Sequence, residues 1–404
     1  MACRCPSSVR IVLPVRTVSK GTQTLPKPSD SMPRIRRQEG GTLIVLGPGA
    51  IQDLRPLLRE LGSTRPYLVT GPHLAGGPVG ARVREALGDG LVGTYSRSRP
   101  HVPEATAEEV AEEARSRKAD ALVGLGGGSP IGTAKAAAFR LQEASGPLRG
   151  PACFVAAVPT TYAGSEVTPV FGTTDLERGR KSVVRSDPIR PRLALYDPEL
   201  ALDTPPELTA STGVNALAHC VEALYSKDAG EEERAMALRA AGLILETLPQ
   251  AVEEPRNLVD RYRMFEGSME AGLVLAKAGM GVHHGLCHVL GGRYNAPHGV
   301  LNGIILPHAM RFNLPIAGKA YRELAPQLHV RFPRTGDAAL GENVCQATSE
   351  FIRGLGLPQR LRDLGIPKAD LPSIAAEAMQ SKSVRANPRP VTVDGALEIL
   401  LAAW

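Results

Sequence analysis

The 404-residue sequence predicts an α/β N-terminal domain followed by an all-α C-terminal domain, and three observations carry that prediction. Short β-rich runs alternate with amphipathic stretches from Thr42 to Asp197. The β signal stops at Asp197-Pro198, and the remainder of the chain is rich in Ala and Leu at helical spacing. Alternation of the first kind is the pattern of a parallel sheet covered on both faces by helices. The expected organisation is a basic leader over 1–38, an α/β domain over 39–198 and a helical domain over 199–404.

Strands are expected at TLIVL (42–46), PYLVT (66–70), LVGTY (91–95), ALVGL (121–125), CFVAAV (153–158) and LALYD (193–197). Ile51, Leu54, Leu57, Leu58 and Leu61 recur at helical spacing, and EATAEEVAEEARSRKAD (104–120) reads as a surface helix. TPVFGTTD (168–175) and GRKSVVRS (179–186) flank a polar turn and predict a hairpin. Helices are expected over 207–225, 231–250, 256–277, 281–291 and 300–312, with further segments to the end. Open α/β sheets bind ligands beyond the carboxyl ends of their strands, so the cleft between the domains is the expected site.

Composition narrows the class. Apolar residues make up 43% and charged residues 22%, the profile of a soluble globular protein. One Trp and 4% aromatics leave few stacking surfaces for single-stranded nucleic acid, and no run of 18 apolar residues offers a membrane span. The net charge of +6 does not mark a basic face: residues 1–38 carry eight Lys/Arg against Asp30, a balance of +7 that leaves −1 for residues 39–404. That Ser-, Pro- and Arg-rich leader is too weakly apolar for a secretory signal. It reads as a disordered extension, or Met32 is the true start, and we favour the second. Six scattered cysteines without a C-x-x-C pair fit reduced thiols in a cytoplasmic protein.

VGLGGGSPIGTAK (123–135) follows a strand and opens a helix. Gly126, Gly127 and Gly128 let the backbone approach a ligand closely, and Ser129 is placed to cap the helix so that its free N–H groups face a pyrophosphate. The pattern is neither G-x-G-x-x-G nor a Walker loop, which disfavours a nucleoside-triphosphate enzyme. VPTTYAGSE (158–166) also follows an apolar strand and sets the hydroxyls of Thr160, Thr161, Tyr162 and Ser165 at its carboxyl end. Two such loops on adjacent strands predict a dinucleotide. The second strand ends VTGPH (69–73) without an acidic residue, so discrimination against NADP should be weak.

The helical half holds the stretch GMGVHHGLCHVLGGRYNAPHG (279–299), with four of the nine histidines. His284 and His288 are four apart on one helix face, while His283 points about 100° away. His298 follows Gly291-Gly292 and Pro297, a break that lets the chain turn back toward His284. In STGVNALAHCVEALY (211–225), Asn215 and His219 share a face, and Glu222 lies three beyond. His219, His284 and His298 would suit Zn²⁺ or Fe²⁺, but Asn215 offers a neutral amide where a catalytic dication usually gains from a carboxylate.

GGGSPIGTAK, VPTTYAGSE, the Asn215-x-x-x-His219 segment and HHGLCHVLGGRYNAPHG together resemble the iron-containing (group III) alcohol dehydrogenase family, with its dehydroquinate synthase-like fold. Within it the chain is most similar to the maleylacetate reductase branch, with NPRPVT (387–392) adding to the likeness. The resemblance implies an NAD(P) cofactor laid across Gly126–Ser129 and Thr160–Ser165, and it maps the family's metal ligands onto Asn215, His219, His284 and His298. Asn in place of Asp is typical of the reductase branch, which the resemblance makes metal-independent. Two departures stand out: the branch carries Lys where this chain has Gly285, and PHAE where it has PHGV (297–300).

The expected activity is hydride transfer between nicotinamide and a small oxo or hydroxy substrate, with maleylacetate reduction to 3-oxoadipate as the leading case. His219, His284 and His298 would polarise the substrate oxygen, and His288 or His283 would deliver the proton. Lys181 is placed with the cofactor-binding residues and, with Arg180 and Arg293, as a carboxylate partner. A homodimer is expected. The alternatives are a metal-dependent alcohol dehydrogenase acting on a secondary alcohol or β-hydroxy acid in natural-product tailoring, and a lyase of dehydroquinate synthase type that recycles its NAD.

Overall fold

A computed structural model describes residues 32–145, 153–178, 180–331 and 337–404. Nine strands occur in the order β1 (Ile35–Glu39), β2 (Thr42–Leu46), β3 (Pro66–Thr70), β4 (Gly93–Tyr95), β5 (Ala121–Gly126), β6 (Phe154–Pro159), β7 (Val170–Asp175), β8 (Arg180–Arg185) and β9 (Leu193–Tyr196). Seven form one sheet in the order β1-β2-β9-β6-β5-β3-β4, and β7 and β8 form the expected hairpin. All neighbours in the large sheet are parallel except β1 with β2.

β2, β3, β5, β6 and β9 are buried along their whole length, which is why they read as continuous apolar runs rather than alternating ones. On one face of the sheet pack α1 (Leu54–Glu60) and α3 (Pro78–Leu87), preceded by the short α2 (Pro72–Gly76). On the other pack α4 (Glu104–Ser116) and α5 (Gly128–Ser145).

β1 corrects the expected leader boundary. Residues 35–38, assigned to the leader, pair with β2 through a two-residue turn at Gly40-Gly41, where both φ angles are positive (56° and 89°) as such a hairpin turn requires. Met32 is buried, and the Pro33 carbonyl accepts from the Tyr262 hydroxyl at 2.9 Å. The question of a start at Met32 concerns residues 1–31, which lie outside the described residues.

The helical half comprises α6 (Pro206–Tyr225), α7 (Glu231–Glu253), α8 (Leu258–Ala278), α9 (Val282–Tyr294), α10 (His298–Leu324), α11 (Asp337–Gly354), α12 (Leu371–Ala378), α13 (Lys382–Ala386) and α14 (Val393–Ala403). α10 runs twelve residues past its expected end at 312, straight through Pro307 and Pro315. Proline costs a helix one N–H donor and a clash. Here burial of Leu306, Ala309, Met310, Phe312, Ala317 and Tyr321 along the helix outweighs it. Among the described residues no helix is long and apolar enough to cross a membrane.

Arg261 joins the halves. Fully buried on α8, it donates from Nε to the Pro255 carbonyl (2.8 Å) and from its terminal nitrogens to Tyr162 Oη (2.9 Å), Thr209 Oγ1 (2.7 Å) and the Thr204 carbonyl (3.0 Å). None of these partners carries charge, so hydrogen bonds alone offset the burial of the guanidinium. Arg261→Met removes four hydrogen bonds, three of them fully buried, and is expected to cost about 3 kcal/mol, read as a lower urea midpoint at unchanged slope. A midpoint equal to wild type would contradict this role.

Candidate active site

The two loops anticipated as a dinucleotide cradle lie side by side because β5 and β6 pair in parallel with Gly126 opposite Pro159. The Thr160 amide donates to the Gly126 carbonyl at 3.1 Å. Gly126 has φ of +130°, and a Cβ added at Gly127 would sit 3.0 Å from Thr161 Oγ1, so neither position accommodates a side chain easily. α5 starts at Gly128, which puts Ser129 inside the first turn and leaves the capping position to Gly127, two residues earlier than expected. Thr161 Oγ1 is buried without a hydrogen-bond partner, as a group awaiting a ligand would be.

Tyr162 corrects the expectation. Its hydroxyl accepts from Arg261, and its ring packs 5.3 Å from that of Phe265, so the phenol points into the helical core and away from the loops. The Ser165 hydroxyl faces Lys135 Nζ at 3.1 Å, and Thr160 is buried beside Thr204, whose hydroxyl donates to the Thr160 carbonyl at 2.7 Å.

Across the cleft, α6 and α9 bring the histidines together as their i, i+4 spacing predicted. The ring centroids of His219 and His284 are 4.8 Å apart and nearly parallel; His284 lies 6.1 Å from His288 and 5.9 Å from His298; His288 stacks on His298 at 5.5 Å. α9 ends at Asn295 in the left-handed region (φ 52°), and Pro297 starts α10 with His298 in its first turn, so the predicted break does fold His298 back. His219 and His284 are buried, whereas His288 and His298 remain partly open. Asn215 Nδ2 donates to the Ala163 carbonyl at 3.2 Å, which ties α6 to the second loop and leaves Oδ1 facing inward unpartnered.

Behind this layer sits Glu222, which its place three residues beyond His219 gave no role. Its Oε2 contacts His284 Nδ1 in a short hydrogen bond and lies 3.5 Å from His283 Nδ1, while Oε1 accepts from the Gly281 amide at 3.0 Å. His283 Nε2 lies 3.0 Å from the Asn302 carbonyl. Burial pushes the Glu222 carboxyl up, but His284 and His283 more than offset it and hold it below the ordinary carboxylate range. Burial opposes charge on His283, and Cys287 and Glu222 overcome it, raising the imidazole to about 10. His283 is therefore an imidazolium with both nitrogens bonded inside the protein. Its expected part as direct proton donor to substrate is corrected, since no nitrogen faces the cleft.

The tautomer of His284 is set by its partner. Facing an ionised carboxylate, Nδ1 carries the proton, and the buried, unpartnered Nε2 is left as a lone pair. His219, His288 and His298 are held well below the ordinary imidazole range, first by burial, then by His284 in the case of His219 and by Lys181 in the other two.

Lys181 arrives from β8, its chain passing over Gly172 of β7, where an added Cβ would lie 2.8 Å from Lys181 Cε. Burial lowers its ammonium to about 8, and it has no hydrogen-bond or ion-pair partner among the described residues. Arg293 is not brought to the site: it bonds Ser373 Oγ at 2.7 Å on the outer side of α9. The Arg180 side chain lies outside the described residues. A residue without a sequence signal also lies at the cleft: His101 holds a left-handed backbone (φ 60°) next to Val102 (φ 52°) and lies against Gly291 of α9. Consecutive positive φ angles in non-glycine residues, one of them β-branched, mark a strained segment.

The unpartnered buried atoms fit a cation by their chemistry: Asn215 Oδ1 and His284 Nε2 are acceptors, and His219 Nδ1 and His298 Nδ1 are orphaned too. Glu222, His283 and His284 also cluster within 4.8 Å, but Glu222 Oε2 is already engaged by the Nδ1 of both rings. Asn215, His219, His284 and His298 are thus the set that would hold a metal, with donors enough and no negative charge.

Comparison with known proteins agrees with this geometry. The model of the iron-containing alcohol dehydrogenase family matches residues 41–198, and that of the Fe-containing alcohol dehydrogenase family, C-terminal, matches 209–404. The chain is 38% identical to maleylacetate reductase of Burkholderia cepacia over 89% of its length and 94% of the relative, and 34% identical over the same shares to maleylacetate reductase of Sphingobium indicum. Among solved structures it resembles maleylacetate reductase from Agrobacterium tumefaciens (31% identity, TM-score 0.75, covering 92% of this chain and 98% of that one). It also resembles a 1,3-propanediol oxidoreductase (30%, 0.84, 89% and 97%). The chain is an oxidoreductase that belongs to the iron-containing alcohol dehydrogenase family.

Proposed function

We propose that this enzyme reduces maleylacetate to 3-oxoadipate with NADH or NADPH. The observation that carries the reading is Lys181: an unpaired ammonium that acts on the neutral imidazoles of His284, His288 and His298 is a receptor for an oxo acid rather than for an uncharged alcohol. The maleylacetate reductases among its relatives, 31–38% identical, support it.

A bound dinucleotide would supply a hydride from nicotinamide C4. The Gly126–Gly128 turn and the N–H groups opening α5 suit its pyrophosphate, and Thr161 Oγ1 is free to bond it. The substrate is a conjugated oxo acid. Hydride addition at the alkene carbon β to the ketone moves the electron pair to the keto oxygen, and one proton completes the C–H bond at the neighbouring carbon. Lys181 and the open imidazoles of His288 and His298 stabilise the charge gathering on that oxygen, and His288 passes on the proton, giving one from one ring nitrogen as the other takes one from the Lys181 ammonium. His284, with a lone pair at Nε2, takes the part of acceptor, which corrects its expected role as a polarising donor. With no carboxylate after β3 to repel a 2′-phosphate, both nicotinamide dinucleotides should serve.

A second reading rests on the two orphaned acceptors, Asn215 Oδ1 and His284 Nε2. With His219 and His298 they would hold Fe²⁺ or Zn²⁺ in a metal-dependent alcohol dehydrogenase, where the ion would act as a Lewis acid on the alcohol oxygen.

Steady-state assays decide between them. The first reading expects turnover of maleylacetate, insensitive to chelator, in protein with no stoichiometric metal. Turnover of secondary alcohols alone, lost on chelation from protein carrying one Fe or Zn per chain, would replace it with the second. Glu222→Gln removes the charge that holds His284 on its Nδ1–H tautomer and is expected to lower kcat/KM about 10–100-fold; an unchanged value would show that the carboxylate does not set the ring. The folded-state value of His283, raised to about 10 from about 6.5, means its contribution to stability is complete below pH 6.5 and lost as pH rises through 10. The stability gap between wild type and His283→Gln should therefore shrink from about pH 7 to about pH 10 in urea titrations; a constant gap would contradict a charged His283.

A further inference from the structure

Lys135 lies on α5 two turns beyond the glycine-rich loop, fully buried. Its Nζ is in hydrogen-bond contact with the Ser165 carbonyl, with Ser165 Oγ and Thr168 Oγ1 at 3.1 Å each, and with the Val170 carbonyl at 3.0 Å. All four acceptors lie in one segment, from the end of the second cofactor loop to the first residue of β7. Burial lowers the amine to about 7, and the four oxygens, two of them hydroxyls able to donate as well as accept, satisfy it in either protonation state. None of the four is a carboxylate; Glu166, also buried, acts on it only through space.

We propose that Lys135 is a positioning residue for the dinucleotide: it cross-links the two cofactor loops into one rigid surface and anchors the root of the hairpin that carries Lys181. The inference rests on the reading of these loops as the dinucleotide site. The second loop needs an anchor, because it is irregular backbone between β6 and β7 with Gly164 in the left-handed region (φ +74°). From the far side α8 presses on it so closely that a Cβ added at Gly272 would sit 2.5 Å from the Gly164 carbonyl oxygen. The loop is thereby clamped between a backbone contact on α8 and a hydrogen-bonded amine on α5. Burying a lysine nitrogen with no carboxylate bonded to it is costly. A cross-link serving stability alone has no need to spend that cost on four oxygens beside the ligand surface.

The test is a fluorescence titration of NADH binding, with steady-state constants measured alongside, for Lys135→Met and Lys135→Gln. Val344→Ala, a cavity in the buried core at α11, serves as a control that lowers Tm far from the site. Lys135→Met is expected to raise the Kd and KM for NADH at least tenfold, with kcat within threefold and a smaller rise in the KM for the oxo substrate. Lys135→Gln keeps two donors and should raise them less, and it carries the comparison if the Met variant does not fold. Val344→Ala should leave the Kd at its wild-type value. A Kd within twofold of wild type in both Lys135 variants, or an equal rise in Val344→Ala, would overturn the proposal. Wild-type protein that binds neither NADH nor NADPH would instead sink the dinucleotide reading itself.

Discussion

The site depends on one buried carboxylate. Glu222 would be costly in the interior by itself, and every donor that offsets the cost comes from the start of α9: the Gly281 amide, His284 and His283. Asn387 adds a second clasp, accepting from the Val282 amide at 3.1 Å. Glu222 thereby holds α6 and α9 in the register that stacks His219 on His284 at 4.8 Å. The same contact decides chemistry as well as packing, because a carboxylate at Nδ1 leaves the lone pair of His284 at Nε2. A residue that touches no substrate thus decides what the first layer can offer.

The charges are arranged in depth. Glu222 and the His283 imidazolium form a closed pair behind the cleft, and the layer in front of them is kept neutral, chiefly by burial. In front of that layer come Lys181 and the positive end of α5. In the proposed reaction an anionic dinucleotide and an anionic oxo acid therefore meet positive charge first and neutral, directional groups where hydride and proton must pass. Charging His288 or His298 beside Lys181 would be disfavoured twice, by burial and by repulsion, so both rings stay neutral and can pass a proton on but not store one.

Much of this was legible, for reasons that differ from residue to residue. The parallel strands are buried on both faces, so apolarity alone marked TLIVL or ALVGL. Helical periodicity placed Asn215 with His219 and His284 with His288, and Pro297 marked the return of His298. β1 was invisible because IRRQE alternates half-buried with exposed residues at a sheet edge and owes its strand to the ladder with β2. Tyr162 shared a polar stretch with Thr161, yet its phenol answers to Arg261, 99 residues away. Glu222 lay in plain sight three residues from His219, but its partners are 59–62 residues on, in α9. Patterns within one element survive in sequence; pairings across elements leave no periodic trace.

Gly285 and Lys181 are connected by the same logic. A side chain at 285 would collide with Val384, because α13 packs against that face of α9. A lysine there would have to displace α13, so α9 cannot send a cation into the cleft while this packing holds. The cation comes instead from the opposite side, along β8 and over Gly172, where glycine alone leaves room for the lysine chain. In the proposed reaction the α/β half therefore reads the charge of the substrate and the helical half reads its oxygen. A substrate is recognised only when both halves face it at once, so selectivity lies in the spacing of the cleft rather than in the histidine cluster alone.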